Sequence, residues 1–281
     1  MIFKENLLEI YQDYTHFIID IWGVIHDGSH VYPGVIENLR KVRESGKKIC
    51  FLSNAPRRAA KVEMLLNKFG IEKDFYDFVL TSGEATFLHL KENQDFGWEY
   101  FYMGENKDLD LLDGLNYKMT DMKLAKFIVN TGLGDEFPTV DSRMNDLEEG
   151  LKYDLPMICV NPDLVVVKKS GLEILCAGIL AKKYQDMGGK VVFFGKPYKS
   201  VYDRVKDLFG DINKAKILAI GDGIETDIGG ANKNNIDSAL IGGGILGKRL
   251  GVKYRQLPEN KIMKDVCKEY GIIPKFILGG L

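Results

Sequence analysis

Residues Phe17–Gly28 read FIIDIWGVIHDG, and this stretch decides the fold. An apolar run rich in β-branched residues, Phe17-Ile18-Ile19, stops at a carboxylate, Asp20. Such runs read as strands buried on both faces of a parallel sheet. An acid at the end of one sits at the carboxyl edge of the sheet, where open α/β folds place their ligands. Asp27-Gly28 closes the stretch with a turn.

The flanking sequence repeats the pattern. Pro33-Gly34 opens a helix in which Val35, Leu39 and Val42 share one face, and Gly46 stops it. Lys48–Leu52 is a second buried strand and ends in Ser53-Asn54. Pro56 starts a helix with Ala60, Met64 and Leu65 on one face, and Phe78–Leu80 is a third strand running into Thr81-Ser82-Gly83. This β-α-β-α-β alternation predicts an α/β fold with a doubly wound parallel sheet, a Rossmannoid core. A short amphipathic helix is expected before it, over residues 4 to 13.

Residues 85–186 have their own rhythm and predict an inserted α/β cap domain within a core formed by 1–84 and 187–281. Its expected strands are Tyr100–Met103, Phe127–Asn130 and Met157–Val160, with helices near 139–152 and 171–187 and a turn at Gly132-Leu133-Gly134-Asp135. The core alternation is expected to resume at Val191–Phe194, leading to Gly195-Lys196-Pro197. It continues with Lys216–Ile220 into Gly221-Asp222-Gly223, a helix over about 225 to 234, and a strand over 236–241 into Gly242-Gly243-Gly244. A helix near 259–269 and the apolar segment Pro274–Leu278 follow.

Composition narrows the function classes. The chain has 281 residues, and 38 basic against 40 acidic side chains give a formal charge of −2. No long single-sign block is present, which argues against nucleic-acid and membrane partners. The cysteines at 50, 159, 176 and 267 form no CxxC pair and read as buried free thiols. With no secretory apolar segment and no run near the ~20 residues of a membrane helix, a cytoplasmic protein is expected.

Four strand ends thus offer Asp20, Ser53-Asn54, Lys196 and Asp222. Carboxylates are hard oxygen ligands for Mg²⁺, while a hydroxyl, an ammonium and backbone amides hold a phosphate. In order and spacing, DIWGVIHDG from Asp20, the SNAPR segment carrying Ser53, FGKPYKSVYD carrying Lys196, and IGDGIETDIGGA carrying Asp222 and Asp227 resemble the four motifs of the haloacid dehalogenase superfamily. CVNPDLVV, with Asn161-Pro162-Asp163, resembles the cap of its subclass IIA, which includes sugar-phosphate, nucleotide and phosphoglycolate phosphatases.

The resemblance implies a Mg²⁺-dependent phosphohydrolase acting on a small phosphorylated metabolite, with a homodimer left open. Asp20 would be the nucleophile. Ser53, Asn54 and Lys196 would hold the phosphoryl group. Asp20, Asp222 and the backbone carbonyl of Trp22 would ligate Mg²⁺, with Asp227 in support. One position departs from the pattern: the family's phosphatases carry a second Asp two residues after the nucleophile, as acid and base, and here Trp22 stands there. A subset of the capped branch resembles this chain in that Trp. Indole cannot transfer a proton at neutral pH, so the alternative is a catalytically impaired protein that binds phosphate and metal. His26 and Asp27 are weighed as replacement acids and read rather as a half-exposed His beside a turn. Gly242-Gly243-Gly244 reads as a plain strand-end loop.

Overall fold

The computed structural model describes all residues except 135–138, 168–172 and 211–215. Its strands, in chain order, are β1 (Ile2–Lys4), β2 (His16–Ile19), β3 (Lys48–Ser53), β4 (Phe78–Thr81), β5 (Glu99–Met103), β6 (Lys118–Met119) and β7 (Phe127–Asn130). They continue with β8 (Met157–Cys159), β9 (Val165–Val167), β10 (Glu173–Leu175), β11 (Val191–Phe193), β12 (Ile217–Gly221), β13 (Asp237–Ile241) and β14 (Phe276–Leu278). The chain packs as two compact units. One comprises Met1–Ser53, Ala60–Leu80 and Lys196–Leu281; the other comprises Asn54–Ala59 and Thr81–Gly195.

The first unit is built on a seven-stranded sheet of order β1-β14-β13-β12-β2-β3-β4. The order runs outward in both directions from the β2–β12 pair, which is therefore the topological switch point, where parallel sheets open a crevice. β12, β2 and β3 pair in parallel, with Ile19 opposite both Ile220 and Phe51. That register brings Asp20, Asp222 and Ser53 to one edge, each one or two residues past an aligned position. Phe17, Ile19, Ile49, Phe51, Leu52 and Leu218 are wholly buried, as strands covered on both faces require. Burial at roughly 25 cal/mol per Å² is what holds this edge in place.

The second unit has a five-stranded sheet of order β11-β8-β7-β5-β6, parallel throughout its pairs, and an antiparallel β9–β10 pair. Its core gathers Met103, Ile128, Leu147, Met157, Leu180 and Tyr184.

Several expectations are corrected. β11, read as the point where the core resumes, pairs with β8 of the second sheet. Residues 4–13 do not form an α-helix. β1 takes the sheet edge beside β14, and two single 3₁₀ turns follow, Leu7–Glu9 and Tyr11–Asp13, the first capped by Asn6 accepting from Leu8 N at 2.9 Å. A segment this short does not offset the cost of helix nucleation, whereas the sheet edge supplies partners at once. Pro274–Leu278 supplies β14. The helix Ala59–Lys68 buries Val62 and Leu66 and leaves Met64 58% exposed, so its inward face is turned from the one expected. The second helix of the insertion is Ala177–Asp186, preceded by β10, and residues 171–172 of the expected span lie outside the described residues, as does Asp135. All four cysteines are buried and free. Among the described residues no helix is long and apolar enough to cross a membrane.

Candidate active site

Asp20 leaves β2 with its N–H bonded to Ile220 O at 2.8 Å, so the backbone of the neighbouring strand fixes its place. Asp222 leaves β12 next to it. Asp227 comes from a π-helical turn, Ile224–Ile228, which widens the backbone one step beyond β12. Such wide turns are frequent at functional sites. One carboxylate oxygen from each of the three lies within 4.8 Å of the others, and all three residues are buried.

Lys196 joins them from the segment after β11. It is 3% exposed, and its Nζ donates to Asp20 Oδ1 at 2.5 Å and to Asp227 Oδ1 at 2.6 Å. Lys196 is the first residue of the last segment of the first unit, and the strand before it, β11, belongs to the second unit's sheet.

The electrostatics follow from burial. Burial first, then repulsion from Asp227 and Asp222 against the opposing pull of Lys196, holds the Asp20 carboxyl well above the usual carboxylate range. The same burial, with Asp227 beside it, pushes Asp222 up to about 7. Lys196 loses by desolvation, but Asp20 and Asp227 more than offset this and keep it protonated far past neutral pH. Three carboxylates against one ammonium leave two uncompensated negative charges when all are ionised. Burying such an excess is costly unless a cation enters. The donor set is all oxygen, so it fits a hard divalent metal.

Two loops grip Asp222. Its Oδ2 accepts the Ile245 N–H at 2.8 Å. A Cβ at Gly23, where φ is +81°, would lie 2.0 Å from that oxygen, and a Cβ at Gly244 would lie 2.2 Å from Asp222 Cβ. Gly244 is therefore part of the site and not a plain loop residue. Asp227 Oδ2 accepts the Gly223 N–H at 3.0 Å, and the buried Tyr202 hydroxyl reaches the carbonyls of Thr226 and Asp227 at 3.3 and 3.4 Å. The sequence reading missed Gly23, Gly244 and Tyr202. The glycine triplet at the end of β13 was the one signal available.

The remaining expected site residues are placed as follows. Ser53 ends β3, half-buried, and Asn54 is buried. Trp22 is 38% exposed, and its indole lies against Gly28, where a Cβ would come within 2.5 Å of the ring. His26 is 2% exposed, which corrects the half-exposed expectation. Its Nδ1 accepts the Gly28 N–H at 2.9 Å, its ring meets those of Trp22 and Phe69, and burial lowers its pKa to about 4. Asp27 Oδ1 accepts the N–H groups of Ser29 and His30, an Asx turn.

Residues 17–118 match the family described as haloacid dehalogenase-like hydrolase, and residues 193–268 match the one described as HAD-hydrolase-like. Together the two matches span well over half of the chain. It is 28% identical over 228 residues to the sugar-phosphatase AraL of Bacillus subtilis, covering 80% of this chain and 81% of that one. It is 21% identical to a 4-nitrophenylphosphatase of Schizosaccharomyces pombe, covering 83% and 85%. A haloacid dehalogenase-like hydrolase of Brucella suis superposes with a TM-score of 0.84 at 29% identity, covering 99% of each chain. The chain belongs to the haloacid dehalogenase-like hydrolases, in their capped subclass IIA. Enzymes of this family use a divalent metal.

Proposed function

We propose that the protein is a Mg²⁺-dependent phosphatase that hydrolyses a small phosphorylated metabolite through an aspartyl-phosphate at Asp20. The observation that carries this reading is the buried triad Asp20, Asp222 and Asp227 with Lys196 bonded into it. The names of its relatives, a sugar phosphatase and a nitrophenylphosphatase, support phosphate monoesters as the substrate class.

Asp20, Asp222 and the Trp22 carbonyl would hold the metal, with Asp227 supporting the set. When bound, Mg²⁺ would neutralise the charge that otherwise keeps the carboxylates and a phosphate apart. An Asp20 oxygen attacks phosphorus, and the ester P–O bond breaks with its electron pair leaving on the alcohol or phenol oxygen. Splitting one displacement into two in this way lowers each barrier. Ser53, the Asn54 amide and Lys196 hold the phosphoryl oxygens. The leaving oxygen takes its proton from solvent; water then attacks phosphorus, the P–O bond to Asp20 breaks with its electron pair returning to the carboxylate, and the water's proton passes to solvent as inorganic phosphate leaves.

The test is a phosphatase screen with Mg²⁺ over an aryl phosphate and a panel of sugar and other metabolite phosphates. Turnover that needs Mg²⁺ and disappears in Asp20→Asn is the expected result. Trp22 supports one second reading, a protein that binds phosphate and metal without turnover. Its neighbours strengthen that reading: His26 is neutral and buried, and Asp27 is committed to its turn. Phosphate bound with Mg²⁺ and no hydrolysis of any substrate would select it.

A further inference from the structure

The Asn161-Pro162-Asp163 segment is not used by the chemistry above, yet it is bonded to a residue that is. Asn54 Nδ2 donates to Asp163 Oδ1 at 2.8 Å, a contact between residues 109 positions apart. Asn54 Oδ1 accepts the Ser82 hydroxyl at 3.3 Å. The segment is itself fixed. Asp163 N–H donates to Asn161 Oδ1 at 3.0 Å, and Gly178 N–H donates to Asp163 O at 3.1 Å. Gly178 has no room for a side chain, because a Cβ there would meet Pro162 O at 2.2 Å.

Gly195 closes the same cluster. Its φ is +125°, and a Cβ would meet Ser82 Oγ at 2.3 Å, Asn54 Oδ1 at 2.6 Å and Pro162 Cδ at 2.8 Å. Two covalent facts give this packing a consequence. Asn54 directly follows Ser53, and Gly195 directly precedes Lys196. One cluster thus gathers the residue that follows Ser53 and the residue that precedes Lys196.

We propose that Asp163 is a positioning residue for phosphate capture, acting through Asn54 to aim the Ser53–Asn54 segment. The inference rests on the phosphatase reading. A carboxylate suits this place better than a neutral acceptor, since an N–H···O⁻ bond is shorter and roughly twice as strong as a neutral one. Without Asp163, the Asn54 amide loses its charged anchor, and the hydroxyl and backbone N–H beside it lose their fixed direction. Misplacing a binding group by about 1 Å can cost up to about 10²-fold.

The test measures two affinities in each variant: inorganic phosphate as a competitive inhibitor of aryl phosphate hydrolysis, and Mg²⁺ by calorimetry. In Asp163→Ala the inhibition constant for phosphate and the KM rise about tenfold or more, while Mg²⁺ affinity stays at the wild-type value. Asp163→Asn, which keeps an acceptor oxygen, recovers most of the loss. Asn54→Ala costs as much as Asp163→Ala, and the double variant costs no more than either, as expected of two residues acting as one unit. Should Asp163→Ala not fold, Asp163→Glu moves the carboxylate by one methylene and carries the same expectation.

The inference is overturned if phosphate inhibition changes by less than about twofold, if Mg²⁺ affinity falls in step with it, or if the two single effects add. A wild-type protein that neither binds phosphate with Mg²⁺ nor hydrolyses any ester overturns the phosphatase reading itself. That result is read before any variant is made.

Discussion

Lys196 Nζ lies between Asp20 Oδ1 and Asp227 Oδ1, at 2.5 and 2.6 Å, and so ties together residues 176 and 31 positions away in sequence. It is a buried cation in contact with two of the three clustered carboxylates.

Replacing Lys196 with Met removes that counter-charge from a buried pair. Breaking a buried ion pair by removing one partner costs about 3–5 kcal/mol, so the variant should melt well below the wild type in metal-free buffer. Mg²⁺ should restore part of the loss and raise the melting temperature of the variant more than that of the wild type. Thermal unfolding with and without Mg²⁺ measures both. An equal Mg²⁺ shift in the two proteins would argue against Lys196 and the metal sharing one charge cluster.

Gly244→Ala should weaken Mg²⁺ binding at least about tenfold, because the new methyl would occupy space held by Asp222. Gly46 makes the control. Its φ is +76° and nothing lies within 4 Å of the place a Cβ would take, so Gly46→Ala should cost about 1 kcal/mol of stability or somewhat more and leave Mg²⁺ affinity unchanged. Calorimetric titration of the pair separates displacement of Asp222 from general strain.

Gly244 and Gly23 also show what the sequence could and could not reveal. A glycine reports a need for backbone freedom or close approach, but Gly244 and Gly23 face a carboxylate from another strand, and no local pattern names that partner. The strand ends were legible because apolar β-branched runs broke at Asp20, Ser53 and Asp222. β11 was misplaced for a related reason: Val191–Phe193 is as apolar as a core strand, and pairing with β8 depends on a register that its own residues do not encode. His26 was read as half-exposed because Asp27-Gly28 is surface chemistry, while the Phe69 ring that helps cover it lies some forty residues on.

His26 should make stability fall in weak acid. Its folded pKa, about 4, is below the ordinary 6.5 because burial disfavours the charged ring. The unfolded chain therefore binds more protons between these values. The contribution is complete above pH 6.5 and is lost as pH falls toward 4, amounting to about 3 kcal/mol. Denaturant unfolding of wild type and His26→Gln at pH 7 and pH 4.5 should show a smaller pH-dependent loss in the variant. Parallel losses would contradict a neutral buried imidazole.

Trp22 should set leaving-group preference. General acid catalysis is worth typically about 10²–10⁴-fold and matters most for poor leaving groups. Without an acid at this position, aryl and acyl phosphates should be hydrolysed far faster than alkyl phosphates. Trp22→Asp should raise alkyl phosphate turnover preferentially. Sugar phosphates cleaved by the wild type at ordinary enzymic rates would contradict this and point to an acid elsewhere.

The central claim is that Asp20 carries the phosphoryl group. Mixing the protein with Mg²⁺ and excess aryl phosphate, quenching in acid within the first turnover and mapping the phosphorylated peptide by mass spectrometry tests it directly. The expected result is a phosphoryl group on Asp20 that forms at the rate of the phenol burst and is absent in Asp20→Asn. Hydrolysis that proceeds with Asp20 unmodified throughout, or that survives in Asp20→Asn, would contradict it.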